Sequence, residues 1–439
     1  NAMNRRATYM YGNLLPASAT GYVTTGLGAA VSMGSTGFIV PSDFIYKTGE
    51  TRTIDGVEIE FQMTPGTEAP AEFVFYLPAF KALCMAEITS HHLHNVYTPR
   101  GAQVRDALAW SNQINESIDL FGHRIDVQFA SHHWPIWGQE DAIDYLEKQR
   151  DLYKYIHDQT LRLANNGYTK EEIAEQVHLP DSLGQEFYNR DYYGTVHHNC
   201  RAVYVKYLGF FDGNPSTLYQ LPPVEQANRY MNFMGGADAV VEKARGSFDA
   251  GDYRWVAEVL NHVVMSDPEH IAGRALLADT LEQLGYQSES APWRNFYLCG
   301  ALELRQGLPE TKAFQASGGI AAGMPIENFF QTLAVRLLPT AADGLAVGIL
   351  LKLTDMEDNY LITIKNSVFN YFKNKESAAD TTLTISSADF KKLIMGLTDG
   401  PTLMSENKLD IAGNAQVMLG FAQLFDQFPR RFPLVTPRD

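Results

Sequence analysis

The spacing of hydrophobic residues changes twice along this chain of 439 residues. Short apolar runs broken by Gly and Pro fill the first third, and helical spacing with few breakers fills the middle. Strands alternate with helices in the last third. A segment whose apolar residues have the spacing of a strand does not bury them as a helix, and the reverse also holds. The sequence therefore predicts a multidomain protein, with a layered α/β unit, a helical unit and an α+β unit.

The first predicted domain covers residues 4–140, after a tag remnant at residues 1–3. Ile54 to Met63 alternates around Asp55-Gly56, which indicates a hairpin. Short apolar runs predict buried strands, and helical spacing over 103–120 predicts a helix between two of them. The predicted strands lie at 73–77, 82–85 and 125–130.

The second predicted domain covers residues 141–305 and is helical. Residues 141–164 contain few breakers, and Thr169 with Glu172 predicts a capping box at the start of the next helix. Gly251 and Gly285 are 34 residues apart, which is the tetratricopeptide period. Because so few repeats cannot stand alone, we expect a helical-hairpin domain whose surplus apolar surface makes a homodimer.

The third predicted domain covers residues 312–439. Four strand-like runs and two amphipathic helices predict a sheet with helices on one face. The segment GNAQVMLGFAQLFDQF predicts one further helix near the end of the chain. The predicted strands lie at 345–353, 360–365, 367–371 and 381–385, and the predicted helices at 326–337 and 388–395.

Composition excludes some classes of protein. The net charge of −16 argues against a nucleic-acid partner, because such binding depends on Lys and Arg. No apolar run is long enough for a membrane-spanning helix. The three cysteines lack CxxC spacing and are expected in the core. The compartment stays open, with a periplasmic or secreted bacterial protein as the leading expectation.

Three segments could converge on one metal ion. Glu68 follows the turn of TPGTEAPAE, Glu87 ends the buried run LCMAE, and ASHHWP places His132 and His133 at the end of another predicted strand. A buried carboxylate needs a partner or a metal, and carboxylates with imidazole are zinc ligands. The alternative is that these residues lie in surface loops without a function.

Longer stretches of the chain carry a family resemblance. These are TPGTEAPAEFVFYLP, HNVYTPRGAQVRDALAWS, FASHHWP, KQRDLYKYIHDQTLRLAN and YLGFFDGNP. The chain resembles the class III alkylsulfatases of the metallo-β-lactamase superfamily, which hydrolyse alkyl sulfates such as dodecyl sulfate. The resemblance implies a metallo-β-lactamase-type αββα catalytic domain, a helical dimerisation domain and a C-terminal domain like sterol carrier protein 2.

The resemblance also implies a pair of zinc ions. Glu68 resembles a terminal ligand of one zinc, and Glu87 resembles the catalytic carboxylate that bridges both. His132 resembles a ligand of the second zinc, while the adjacent His133 is expected to point away. A binuclear zinc site supplies a hydroxide near neutral pH and a positive field for the departing sulfate.

Three further residues resemble substrate-binding groups of the family. Arg100 resembles the sulfate-binding arginine, and Asn95 resembles a sulfate-contacting asparagine that hints at primary esters. Tyr204 resembles a tyrosine reaching the site from the helical domain, the alternative being a core aromatic. His94, like His91 and His92 beside it, is considered either for a catalytic role or as a solvated loop residue.

One family motif is absent from this sequence, the zinc motif HxHxDH. We therefore expect the chain to be an incomplete fragment that binds zinc weakly or not at all and shows no turnover. The alternative function is a non-catalytic dimer whose C-terminal domain binds an alkyl chain or lipid.

Overall fold

A computed structural model describes residues 1–32, 34, 37–308, 318–375, 379–429 and 431–438. The chain divides into two units. The first comprises Asn1–Ser32, Phe44–Thr311 and Arg431–Asp439, and the second comprises Met33–Asp43 and Lys312–Arg430. Among the described residues, no helix is both long and apolar enough to cross a membrane.

The first unit contains a six-stranded sheet in which the strands follow chain order. All neighbours are antiparallel except β4 and β5, which run parallel. The predicted hairpin is confirmed, because Ile54 pairs with Val57 and the turn residues Asp55 and Gly56 have φ of 50° and 81°. The strands are β1 (Thr51–Ile54), β2 (Val57–Met63), β3 (Phe73–Leu77), β4 (Ala82–Cys84), β5 (Val127–Phe129) and β6 (Ile136–Trp137).

Several helices of the first unit begin at side-chain caps. The Asp106 side chain accepts hydrogen bonds from two amides of the first turn of α2, and the predicted capping box of Thr169 and Glu172 opens α4. The helices are α1 (Ala2–Met10), α2 (Ala107–Phe121), α3 (Gln139–Ala164), α4 (Lys170–Gln176), α5 (Asp181–Gly184), α6 (Val196–Leu208), α7 (Pro223–Met234), α8 (Ala237–Asp249), α9 (Tyr253–Ser266), α10 (Ile271–Gln287) and α11 (Ala291–Gln306).

Helices α8 to α11 form the predicted helical hairpins, each contacting the next. Gly251 lies in the turn between α8 and α9 with φ of +81°. Gly285 instead lies within α10, where a Cβ would meet Leu298 of α11 at 2.9 Å. The 34-residue spacing therefore relates a turn to a close helix contact, not two turns.

One hydrophobic core joins the sheet to α2, α3 and α6. It contains Val74 and Leu83 from strands and the stacked rings of Trp110 and Tyr153, which lie 4.7 Å apart. Residues on both sides of the predicted boundary at 140/141 contribute to this core, so they form one unit. Cys84, Cys200 and Cys299 are buried free thiols, as expected.

The second unit contains a five-stranded sheet in the order β11-β10-β7-β8-β9, with only β7 and β10 parallel. The predicted strands are confirmed, and β11 is an additional one. The strands are β7 (Ala346–Leu353), β8 (Asn359–Lys365), β9 (Val368–Lys373), β10 (Thr381–Ile385) and β11 (Leu409–Gly413). The helices are α12 (Gly318–Gly323), α13 (Ile326–Ala334), α14 (Pro339–Ala342), α15 (Ser387–Ile394), α16 (Gly400–Ser405) and α17 (Gln416–Leu419).

The continuous helix predicted for residues 413–428 is wrong. The structure has the single turn of α17 and then a 3-10 turn over Phe421–Leu424. Gly420 lies between them, and glycine costs about 1 kcal/mol in a helix relative to alanine. Phe421 and Phe425 nevertheless join the core of this unit.

Candidate metal centre

Three loops of the first unit meet at one edge of its sheet. Because β4 and β5 run parallel, their carboxyl ends lie together. Glu87 follows the end of β4 by three residues, and His132 follows the end of β5 by three. The loop 64–72 joins β2 to β3 at the same edge and carries Glu68.

These loops bring four side chains together, which we name the acid–imidazole cluster: Glu68, Glu87, His94 and His132. Nε2 of His94 lies 3.1 Å from Oε1 of Glu87, and Nε2 of His132 lies 3.0 Å from the same oxygen. Ligand atoms of Glu68, Glu87 and His94 all lie within 4.8 Å of one another. His94 therefore joins the three residues considered as ligands from the sequence.

The backbone beside this cluster adopts an unusual conformation at two positions. Ala86 and His133 have φ of 48° and 67°, in the left-handed region that non-glycine residues rarely adopt. The amide of Ser131 donates to the carbonyl oxygen of Ala86 at 2.7 Å, which ties the two loops together. Strained residues of this kind persist where the surroundings fix them, and they concentrate at functional sites.

His133 points to a different partner from its neighbour His132. Its Nε2 lies 3.0 Å from Nδ1 of His92, whereas His132 contacts Glu87. The backbone conformation at His133 thus directs the His132 imidazole to Glu87 and the His133 imidazole to His92. This geometry favours His132 over His133 as the candidate ligand.

Electrostatics distinguish two half-buried carboxyl groups of the site, those of Glu87 and Glu72. Burial would raise the pKa of Glu87, but hydrogen bonds and charge from His132 and His94 outweigh it and hold that pKa well below its usual range. Burial raises the pKa of Glu72 to about 7, despite the hydrogen bond from the Glu87 amide, and the charges of Glu68 and Glu87 add to the rise. Glu87 is therefore the ionised carboxylate of the pair at neutral pH.

The histidines of the HHLH segment are buried, so the interpretation of them as solvated loop residues is wrong. His91, His92 and His94 are 5%, 0% and 2% exposed. Burial lowers the pKa of His91 to about 4 and that of His92 well below its usual value. Neutral imidazole is the form that binds a metal ion.

The predicted substrate-binding residues have different surroundings. Asn95 is fully buried, and neither atom of its amide has a hydrogen-bond partner. Arg100 is half-buried and makes no hydrogen bond or ion pair within the described part of the chain. Tyr204 is a member of the hydrophobic core whose charged neighbours are Asp212 and Glu171, so the structure does not bring it to the cluster.

Two aromatic residues of the helical region contact His94: Tyr153 of α3, whose hydroxyl accepts from the His94 amide at 3.2 Å, and Tyr193. The Tyr193 ring lies 5.2 Å from the His94 ring and 5.4 Å from that of His92. Sequence reasoning missed Tyr193 because it precedes α6 in an irregular segment without periodicity. The only available signal was its neighbour Gly194.

The segment before α6 and α6 itself fix the loop that carries His94. The Asn199 side chain donates to the carbonyl oxygen of His94 at 2.9 Å and accepts from the Val96 amide at 2.9 Å. A Cβ on Gly194 would lie 2.5 Å from the His94 carbonyl oxygen, so only glycine permits this approach. The helical region thus positions part of the site.

The donor set of the cluster fits a divalent metal ion. Zinc takes carboxylate oxygen and imidazole nitrogen at about 2.0–2.2 Å, so its ligand atoms lie close together, as these do. The buried, unpartnered amide of Asn95 shows in addition that polar groups here lack a protein partner. Residues from these three loops are therefore able to bind one divalent metal ion.

Known proteins are similar to this chain in sequence and in fold. Two family models match the chain, one described as alkyl sulfatase dimerisation over residues 169–307 and one as alkyl sulfatase C-terminal over residues 315–437. The stereoselective inverting sec-alkylsulfatase Pisa1 from Pseudomonas sp. superposes with a TM-score of 0.97 at 39% identity, covering 100% of this chain and 69% of that one.

Curated relatives are similar over the whole of this chain. A linear primary-alkylsulfatase of Pseudomonas sp. is 46% identical over 99% of this chain and 65% of its own length. An alkyl/aryl-sulfatase of Saccharomyces cerevisiae is 44% identical over 100% of this chain and 68% of its own. The chain thus spans about two-thirds of the length of these relatives, and it belongs to the alkylsulfatase family.

Proposed function

We propose that this chain provides the metal- and sulfate-binding residues of an enzyme that hydrolyses primary alkyl sulfates such as dodecyl sulfate to alcohol and sulfate. The observation that carries the proposal is the acid–imidazole cluster at one sheet edge, in a chain 46% identical to a linear primary-alkylsulfatase. Hydrolysis of a sulfate ester needs a nucleophile, a cation beside the sulfate and a site for the alkyl chain.

In this proposal the metal ions are zinc. Glu68 and His132 would bind one zinc each as terminal ligands, and Glu87 would bridge the two. The position of Glu87 supports that role, because its Oε1 lies 3.1 Å from Nε2 of His94 and 3.0 Å from Nε2 of His132, and carboxylates are zinc ligands. Zinc, when bound, would supply a water that ionises near neutral pH and positive charge beside the leaving sulfate.

The sulfate would bind between Asn95 and Arg100. An arginine fork matches the oxygens of a tetrahedral anion, and Arg100 has no protein partner among the described residues that would compete for it. The unpaired, fully buried amide of Asn95 offers one donor to the same anion. Binding would give both side chains the partners that they lack in the protein alone.

The domains and the homodimer that we propose are those of the same alkylsulfatase family. Residues 4–140 would form part of a metallo-β-lactamase-like domain, and residues 312–439 a domain like sterol carrier protein 2. The helical region would make a homodimer, because it exposes large apolar side chains between residues 207 and 233. Phe210, Tyr219 and Phe233 are 78%, 97% and 93% exposed.

Metal analysis and sulfate release from dodecyl sulfate test the proposal together. Bound zinc that is lost in Glu87→Gln, with sulfate release that depends on it, would support the enzyme. Binding of dodecyl sulfate without zinc or sulfate release would support the non-catalytic alternative. The expectation that this chain binds zinc weakly and shows no turnover stays a prediction, and the same measurement decides it.

A further inference from the structure

We infer that Arg105 is a positioning residue, which fixes the loop of the metal-binding Glu68 and the loop of the sulfate-binding Asn95 relative to each other. The inference rests on the proposed function for the roles of Glu68 and Asn95. It adds a residue to that function, one that acts through its neighbours and not on the substrate.

The backbone of Arg105 is anchored at the start of a helix. Its amide donates to the carbonyl oxygen of Val96 at 2.9 Å, and the next amide, of Asp106, donates to that of Gly66 at 3.1 Å. The Asp106 side chain caps α2, so this anchor belongs to a rigid element. The Asp106 amide thus connects the loop 85–106 to the loop 64–72, and the Arg105 amide holds the loop 85–106 to itself.

The side chain of Arg105 repeats the same connection. Its Nε donates to the main-chain oxygen of Glu68 at 2.7 Å, and its Nη2 forms an ion pair with the Glu68 carboxylate. Its Nη1 donates to the main-chain oxygen of Asn95 at 2.7 Å and lies 3.3 Å from Nδ1 of His94. The side chain is only 11% exposed.

This set of contacts needs the shape of a guanidinium group. Three nitrogens in one plane donate in different directions, so the group reaches both loops at once. A lysine ammonium is a single point charge, so it would bind only one of the two loops. A different interpretation is that Arg105 merely supplies positive charge, in which case it would compete with zinc for Glu68.

Two substitutions separate these interpretations. Arg105→Lys keeps the charge and removes the planar fork, whereas Arg105→Met removes both. Arg124→Lys is the matched control, because Arg124 binds the Glu60 carboxylate through Nη2 at 2.9 and 2.8 Å on the same sheet, outside the cluster. Glu68→Gln breaks the ion pair from the other side and gives the exchange measurement if the Arg105 variants do not fold.

Two measurements are made on the whole chain. Without metal, hydrogen exchange of residues 64–72 and 92–98 is expected to be at least about tenfold faster in both Arg105 variants, with melting temperatures close to that of the control. With zinc and a competing chelator, both variants are expected to bind about 10–100-fold more weakly, as for other residues that orient metal ligands.

Either of two results would overturn the inference. Tighter zinc binding by Arg105→Met would mean that the guanidinium only competes with the metal. Exchange in the two loops no faster than in Arg124→Lys would mean that Arg105 fixes neither loop. If the unsubstituted chain binds no zinc, as the absence of the HxHxDH motif predicts, the zinc measurement does not bear on Arg105, and hydrogen exchange alone decides its role.

Discussion

Glu303→Gln should destabilise the first unit by about 3–5 kcal/mol, because it leaves a buried guanidinium without its counter-charge. The side chains of Arg5 and Glu303 are only 6% and 2% exposed, and Nη2 of Arg5 lies 2.5 Å from Oε2 of Glu303. Tyr9 donates to the same carboxylate oxygen, and the Leu434 amide donates to the other at 2.8 Å. The pair therefore connects α1, α11 and the segment 432–435.

The magnitude follows from what the substitution leaves behind. Glutamine keeps the shape of the side chain and an oxygen for the Leu434 amide. Arg5 keeps only neutral acceptors, namely the Phe432 carbonyl oxygen at 2.9 Å, the Thr8 hydroxyl at 3.3 Å and the Tyr9 hydroxyl at 3.5 Å. Breaking a buried pair from one side costs about 3–5 kcal/mol, whereas removing both charges costs much less.

Urea unfolding of a double-mutant cycle measures this effect. Glu303→Gln and Arg5→Met are each expected to lower the free energy of unfolding, and the double variant should recover about 2–3 kcal/mol of the sum. Glu225→Gln is the control, because Glu225 pairs with Arg229 on an exposed helix surface and should cost at most about 0.5 kcal/mol. A loss in Glu303→Gln as small as in the control, or additive single losses, would refute the reasoning.

Three further predictions concern activity, assembly and pH. In an intact enzyme that contains the HxHxDH motif, Arg100→Ala should raise KM and lower kcat for dodecyl sulfate, a loss in kcat/KM equivalent to about 2–4 kcal/mol, and a change below about threefold would make Arg100 structural. Phe233→Glu should give a monomer in sedimentation at micromolar concentration, unlike Ile271→Glu at another exposed apolar position; a monomeric unsubstituted chain would contradict this. Burial lowers the pKa of His198 from 6.5 to about 3, and its Nδ1 accepts from Trp293 at 2.9 Å. Only the unfolded chain then binds this proton between those pH values. The free energy of unfolding should therefore decrease as the pH is lowered below 6.5, and this decrease should be less steep in His198→Gln.

Local signals in the sequence predicted much of the fold. The Asp55-Gly56 turn and the capping box of Thr169 and Glu172 depend on neighbours in the chain, and both appear as expected. Glu87 and His132 were also found from the sequence, because each follows a buried apolar run. To predict that these two side chains lie close together requires one further fact, the parallel pairing of β4 with β5.

Features that depend on distant contacts were not predictable in this way. His94 joins the cluster in a loop that Asn199, more than a hundred residues later, helps to fix. Tyr193 precedes α6 and Tyr204 lies within it. The packing of this region decides that Tyr193, and not Tyr204, contacts the histidines. The pattern around Gly420 resembles a helix, but a single glycine divides it into two short turns.

The contact of Asn199 with the His94 loop also has a consequence for biosynthesis. A ribosome produces the strands of the sheet well before it produces α6. The loop that carries His94 and Asn95 lacks its support until Asn199 and the close approach of Gly194 are available. Contacts so distant along the chain form slowly, because the intervening segment has to close into a loop first. The strands are therefore synthesised before the residues that support the site, and the acid–imidazole cluster can reach its final geometry only after α6 has been made.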